Sequence, residues 1–228
     1  MAIICRSYKI LFIMTPRTAC SAVGKSLCEN LDGVFLPSSE ILNDQGNIQI
    51  QKKHNTLQQI LDNKLLTEEE VNSFLKFTCV RNPFDSLASL YEKKRTKYQP
   101  LLSDPTSWVY KVSSGYAKDM EYCSTHSFDE WIFKKYKPNL IKKTLGRGRR
   151  SLFGKYTKGI DIIMRFENIQ DEFKNVLKEA GITKEVPLLY FNQTDEKTES
   201  YQEYYSEASK RVVEYVFHDD LKLYDYGF

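Results

Sequence analysis

No two of the five cysteines stand in CxxC spacing, and the odd set Cys5, Cys20, Cys28, Cys79 and Cys123 indicates neither a disulfide framework nor a zinc site. Reduced thiols and no bound metal are the expectation. No apolar run approaches the roughly 18 residues of a membrane span. The opening MAIICRSYKILFIM lacks a signal peptide's long apolar core, because Arg6 and Lys9 interrupt it. A cytoplasmic protein with no membrane partner is expected. Charge of one sign is scarce as well. A net +3 over 228 residues does not argue for nucleic acid, so any taste for anions must come from local clusters. Repeats and low-complexity tracts are missing. Histidine occurs three times, which narrows the choice of a proton acceptor.

What is present is a chain with 41% hydrophobic residues, enough to bury one good core, read as a single domain over 1–228. Residues Lys9 to Leu27, KILFIMTPRTACSAVGKSL, organise it. The run Ile10 to Met14 is too short for a helix and reads as a fully buried parallel strand that Thr15-Pro16 ends. A helix starting near Ser21 then aims its unpaired N–H groups and positive dipole end at the loop holding Arg17, Thr18 and Ser21. Such a loop is a site for phosphate or sulfate.

The same order recurs. Phe74 to Val80 is a second strong strand, running into Arg81-Asn82-Pro83 and a helix with Leu87, Leu90 and Tyr91. Ile160 to Arg165 is a third, followed by a helix with Ile169, Phe173, Val176 and Leu177 on one face and Gly181 at its end. Gly33 to Leu36 is a short strand. Thr67-Glu70 and Ser127-Glu130 are capping boxes. Ser38 to Gln51 reads as a mobile surface loop around Asn43-Asp44-Gln45-Gly46. Order is weak from Lys97 to Ser127. Lys142 to Lys158 gathers basic residues and glycines, either as a solvated turn or as a flap over an anion. A helix from about Ser206 and a docking aromatic tail close the chain. The fold expected is α/β: a P-loop-like three-layer domain with a central parallel sheet, helices on both faces and ligand at the strands' C-terminal edge.

Two loop chemistries compete at the first strand. ACSAVGKS, Ala19 to Ser26, is a Walker A loop with its first Gly replaced by Ala, which would make Lys25 the phosphate lysine of a nucleotide kinase. Its register is poor, since TPRT intervenes and Gly24-Lys25 would fall inside the helix. TPRTACSAV instead resembles the phosphosulfate loop of sulfotransferases, T/I-P-K/R-T-G-G-T-S-x. RNPFDSLASLY resembles the same family's 3′-phosphate motif, with Arg81 and Ser89 eight apart, and RFENIQ resembles its R-F-E-N-L segment. Eight residues is slightly over two helical turns, so a helical Ser can face the pocket of an Arg at the preceding turn. The resemblance, to the carbohydrate-type branch, covers most of the chain from Lys9. It departs where Gly-Gly becomes Ala19-Cys20, which requires that neither position need positive φ, and where a Ser becomes Ala22.

The resemblance implies transfer of a sulfuryl group from 3′-phosphoadenosine 5′-phosphosulfate (PAPS) to a hydroxyl or amine of a small-molecule or saccharide acceptor, with no metal. It implies donor binding by Arg17, Thr18, Ala19, Cys20, Ser21, Ala22, Arg81 and Ser89. Arg17 would also be catalytic, a permanent cation that stabilises charge on the leaving oxygen. His54, in KKHNTLQQIL between the two motifs, would be the general base, with Glu40 and Glu68 in reserve. His126 and His218 have structural explanations beside helix ends. Cys20 lies at a helix N-terminus, but a phosphatase-like loop wants Arg at position 26, which is Ser26. A kinase using Lys25 and a PAPS-binding protein without catalysis are the alternatives. Acceptor-binding surfaces are expected in Ser38 to Lys53 and Lys97 to His126.

Overall fold

The computed structural model describes residues 2–42, 44, 48–50, 53–113, 115–138, 146–188 and 200–228. In chain order the described elements are β1 (Ala2–Cys5), β2 (Ile10–Ile13), α1 (Cys20–Asn30), β3 (Val34–Leu36), β4 (Ile41–Leu42), β5 (Ile48–Ile50), α2 (Leu57–Asp62), α3 (Glu68–Asn72), β6 (Leu75–Val80), α4 (Pro83–Arg95), α5 (Trp108–Lys111), α6 (Tyr116–Thr125), α7 (Phe128–Tyr136), α8 (Gly154–Thr157), β7 (Ile162–Arg165), α9 (Ile169–Glu179), α10 (Glu207–Val216) and α11 (His218–Leu223). No helix of the described residues is long and apolar enough to cross a membrane. The chain divides into two compact units, Met1–Arg81 with Phe153–Glu196, and Asn82–Leu152 with Lys197–Phe228.

The first unit is an α/β layer structure on a five-stranded sheet in the order β3-β1-β2-β6-β7. β2, β6 and β7 are parallel, and β1 lies antiparallel between β2 and β3. β1, which no motif in the sequence announces, makes the sheet mostly rather than wholly parallel. Only residues 6–9 join β1 to β2, and a link that short permits only an antiparallel pair. All four residues of β1 and of β2 are buried, as strands covered on both faces must be.

Side-chain alternation sorts the two faces. Ile3, Ile10, Phe12, Phe77, Cys79 and Met164 pack with Val23 and Leu27 of α1 and with Phe173 and Val176 of α9. Ala2, Ile4, Leu11 and Ile13 pack with Leu57 and Ile60 of α2, Val71 of α3 and Tyr156 of α8. Helices therefore lie on both faces, as expected. α2 and α3 each start at a complete capping box, Thr56 with Gln59 and Thr67 with Glu70. Within Ser38–Gln51, where a loop is expected, Ile41–Leu42 pairs with Ile48–Ile50 as a small antiparallel ladder. Its turn residues 43 and 45–47 lie outside the described residues.

The second unit is helical and its core is aromatic: Phe84, Tyr91, Phe128, Trp131, Tyr136 and Phe217 are buried together. Asn82 opens it twice over. Its Oδ1 accepts the Phe84 N–H at 3.0 Å as the cap of α4, and its Nδ2 donates to the Gly227 carbonyl at 2.7 Å. The second bond holds the tail so that Phe228 stands edge-on to Phe84, ring centroids 4.9 Å apart. α6 lies in the stretch where order is weak in sequence. Ala117, Met120 and Cys123 give it a small apolar face, and no side chain caps it.

Beneath the aromatic core Lys94, only 1% exposed, and Lys135 both bond to Asp119 Oδ2, while Trp131 Nε1 donates to Asp119 Oδ1 at 2.9 Å. Burial, with Lys135 alongside, pushes the Lys94 amine down to about 8. The basic stretch also proves to be anchored from 147 to 152. Asp220 accepts the Ser151 hydroxyl and the Leu152 N–H, Arg150 N–H donates to the Val216 carbonyl, and Tyr215 OH donates to the Arg147 carbonyl. Arg147, Arg149 and Arg150 are nonetheless exposed, as a solvated turn would have them, and 142–145 lie outside the described residues. Asp119→Asn removes the carboxylate that the buried Lys94 shares with the half-buried Lys135 and should cost about 3 to 5 kcal/mol. Urea denaturation checks this, and an unchanged midpoint contradicts it.

Candidate functional site

The residues between β2 and α1 belong wholly to the first unit. Three fully buried threonines hold them from beneath. Thr78 Oγ1, on β6, donates to the Ile13 carbonyl at 2.7 Å, so the 2.7 Å contact between Thr15 and Thr78 hydroxyls has Thr15 as donor. Thr18 Oγ1 donates to the Thr15 carbonyl at 2.9 Å. The Thr18 hydroxyl thus shapes the loop from inside rather than facing a ligand. FLKFTCV carries the signal for Thr78, a lone hydroxyl in an apolar strand, although its partner is invisible in sequence.

Above this chain the backbone turns through left-handed conformations at Arg17 (φ 70°) and Ala19 (φ 53°). The expectation that the loop needs no positive φ at Ala19 is overturned. Ala19 stands where the family pattern has Gly, and its Cβ makes this conformation unfavourable by about 1 to 2 kcal/mol. The twist is what swings the chain into α1, one residue earlier than expected.

No side chain caps α1 and no acid stands in its first turn, whereas α2, α3, α7 and α10 are capped by Thr56, Thr67, Ser127 and Ser206. The amides of Ala22 and Val23 bond to the Ala19 carbonyl, but those of Ala19, Cys20 and Ser21 make no backbone bond among the described residues. Ala22 is therefore the poorer of the expected ligands. An eleven-residue helix with open leading amides and an adjacent arginine fits the sulfate and phosphate of an anionic donor.

Arg81, the last residue of the first unit, closes the other side of this loop. Its Nη1 donates to the Arg17 carbonyl at 3.1 Å, and its guanidinium lies 4.1 Å from the centroid of Phe166, in the RFEN segment. Stacking and a backbone bond fix the fork, which is the use to which Arg is better suited than Lys. Ser89 belongs to the second unit, where it is buried on α4.

His54 reaches the same loop. Its Nδ1 is 3.0 Å from the Met14 carbonyl, which can only accept, so Nδ1 carries the hydrogen and Nε2 keeps a lone pair. Its own φ of 66° marks a residue held in an unusual conformation. Burial pushes the imidazole down to about 4, opposed by the Met14 bond and assisted by Lys53 and Arg17, so it is neutral at pH 7. Met14, as a backbone acceptor, leaves no signal in sequence. Lys53 is legible only as the neighbour of His54.

The remaining candidates lie elsewhere. Glu40 is exposed beside β4, and Glu68 lines a separate hollow with Asp62 and Lys64. His126 stacks on Tyr122 at 3.6 Å and bonds to Thr125, and His218 bonds to Asp219, both in the second unit. Burial raises the Cys20 thiol, the reverse of what a nucleophile requires. Lys25 sits inside α1 in an ion pair with Glu29 at 3.6 Å. Gly24 brings α1 against the sheet: a Cβ there would lie 2.6 Å from Ile3 Cδ1.

The chain matches the Sulfotransferase family over residues 1–227 and belongs to that family. No curated protein and no solved structure matches it. The mostly parallel α/β sheet described above is consistent with that family's fold.

Two outcomes follow. Ala19→Gly relieves the left-handed alanine and should raise stability by about 1 kcal/mol, read as a higher urea midpoint; a lower midpoint contradicts the strain. Between pH 4 and 6.5 the unfolded chain takes up a proton at position 54 that the folded chain refuses. His54 therefore contributes a stability that rises with pH through that window and is complete above it. The stability of wild type relative to His54→Gln should fall from pH 6.5 to 4. Parallel curves would show that His54 is not buried neutral.

Proposed function

We propose that the protein transfers a sulfuryl group from PAPS to a hydroxyl or amine. The observation that carries this reading is the single loop that joins Arg17, the open amides of α1 and, through the Met14 carbonyl, a neutral His54. The donor supplies a sulfuryl group already attached to a phosphate leaving group. In the displacement the acceptor oxygen or nitrogen bonds to sulfur while the sulfur–oxygen bond to the 5′-phosphate breaks and its electron pair stays on the phosphate.

The protein's part is positional and electrostatic. The amides of Ala19, Cys20 and Ser21 and the Arg17 guanidinium hold the anion and stabilise charge growing on the leaving oxygen. His54 Nε2 takes the acceptor's proton, its ring fixed by the bond at Nδ1. An anion bound beside it raises its proton affinity from the low value of the free protein. Arg81 is assigned to the 3′-phosphate through the family motif and its fixed fork, and Ser89 through the motif's spacing. The acceptor is a small molecule or saccharide.

His54's low affinity for protons also favours a second reading, a PAPS-binding protein without catalysis. Transfer from sulfate-labelled PAPS to an acceptor panel, read by mass shift, separates the two. Arg17→Ala should lower turnover about 10² to 10³ fold, and His54→Ala about 10² to 10⁴ fold with donor affinity retained. Binding without turnover on any acceptor gives the second reading. ATP turnover that needs Mg²⁺ and Lys25 would replace both with the kinase.

A further inference from the structure

A second hollow of the first unit, about 430 Å³ in volume, opens beside the loop. One wall is a stripe of α1: Ser21, Lys25 and Cys28 recur at helical spacing and share a face. Met14 and Phe35 supply the rest of its apolar lining, and Lys53 completes the rim. Its size and its apolar lining with few polar groups are those of a small-molecule site.

The hollow meets the reaction site at two places. Ser21 is in the first turn of α1, whose leading amides face the anion, and Met14 carries the carbonyl that orients His54. Its charge is unbalanced. Lys25 faces Glu29 at 3.6 Å, whereas Lys53 forms no ion pair among the described residues, leaving the rim one cation in excess. Lys53 is also exposed, so its amine is accessible to a ligand.

The geometry points to this hollow as the acceptor's subsite, taking a hydroxyl compound with an apolar body and one anionic group. The body lies against Phe35, Met14 and Cys28, the anion meets Lys53, and the hydroxyl is directed past Ser21 toward the loop. This assignment rests on the sulfuryl-transfer reading and narrows its acceptor to amphipathic anions.

The test uses the full chain with its methionine methyl groups labelled with ¹³C. Met14 lines the hollow, while Met164 is buried in the sheet and Met120 lies in the second unit. Two matched pairs serve as probes: 4-hydroxyphenylacetate against 2-(4-hydroxyphenyl)ethanol, and 8-hydroxyoctanoate against 1,8-octanediol. Each anionic probe should shift the Met14 methyl and bind about tenfold more tightly than its neutral partner, as one charge-assisted contact allows. Lys53→Ala should erase that difference and leave the affinity for adenosine 3′,5′-bisphosphate unchanged. The assignment is overturned if neither anionic probe moves Met14 at millimolar concentration, or if neutral probes bind equally well. It is overturned too if Lys53→Ala weakens the nucleotide instead, which makes Lys53 a donor ligand. Failure of wild type to bind the nucleotide refutes the transfer reading, and the Met14 titration then still decides whether the hollow selects anions.

Discussion

The buried hydrogen bonds that run from the Thr18 hydroxyl to the Thr15 carbonyl and from the Thr15 hydroxyl to Thr78 are the constraint on which the site depends. They fasten the segment after β2 to the neighbouring parallel strand β6 and are fully shielded from water. A buried hydroxyl with its partner removed is unfavourable by about 1 to 3 kcal/mol, so the three hold each other in one arrangement. With the loop pinned at Thr15 and Thr18, the chain has little choice but to turn through left-handed Arg17 and Ala19. Its next amides then emerge at the start of α1 with no backbone bond among the described residues.

From that constraint the remaining groups take their places. Arg81 follows the end of β6, the strand that carries Thr78, and meets the Arg17 carbonyl. Met14, the last residue before the loop, turns its carbonyl to His54 and so fixes which ring nitrogen has a lone pair. Gly24 allows α1 to lie close enough on β1 and Met14 to keep the helix start over the sheet edge. The strain at Ala19 is borne by a structure that over-determines it, as is usual where a backbone is shaped to receive a ligand.

Much of this is legible in sequence because it is local. The apolar runs that become β2, β6 and β7 are short and bounded by Pro or charged turns, and the capping boxes at Thr67 and Ser127 mark helix starts without reference to anything distant. The phosphosulfate-like loop and Arg81 are legible through their spacing. What sequence hides depends on partners far along the chain or on backbone atoms. β1 is an unremarkable AIIC until β2 and β3 flank it. α6 has only Ala117, Met120 and Cys123 as its apolar face, too weak a pattern to announce a helix. The His54 tautomer rests on a carbonyl forty residues earlier, and the left-handed Ala19 contradicts the residue's own preference.

The central claim is that the open start of α1 receives the anionic end of a 3′-phosphorylated nucleotide. Backbone ¹⁵N–¹H shifts on titration with adenosine 3′,5′-bisphosphate test it most directly. The account predicts that the largest perturbations fall on Arg17, Ala19, Cys20 and Ser21, with Arg81 responding only when the 3′-phosphate is present. Perturbations centred on α2 and α3, or none at the start of α1 at saturating nucleotide, would contradict it.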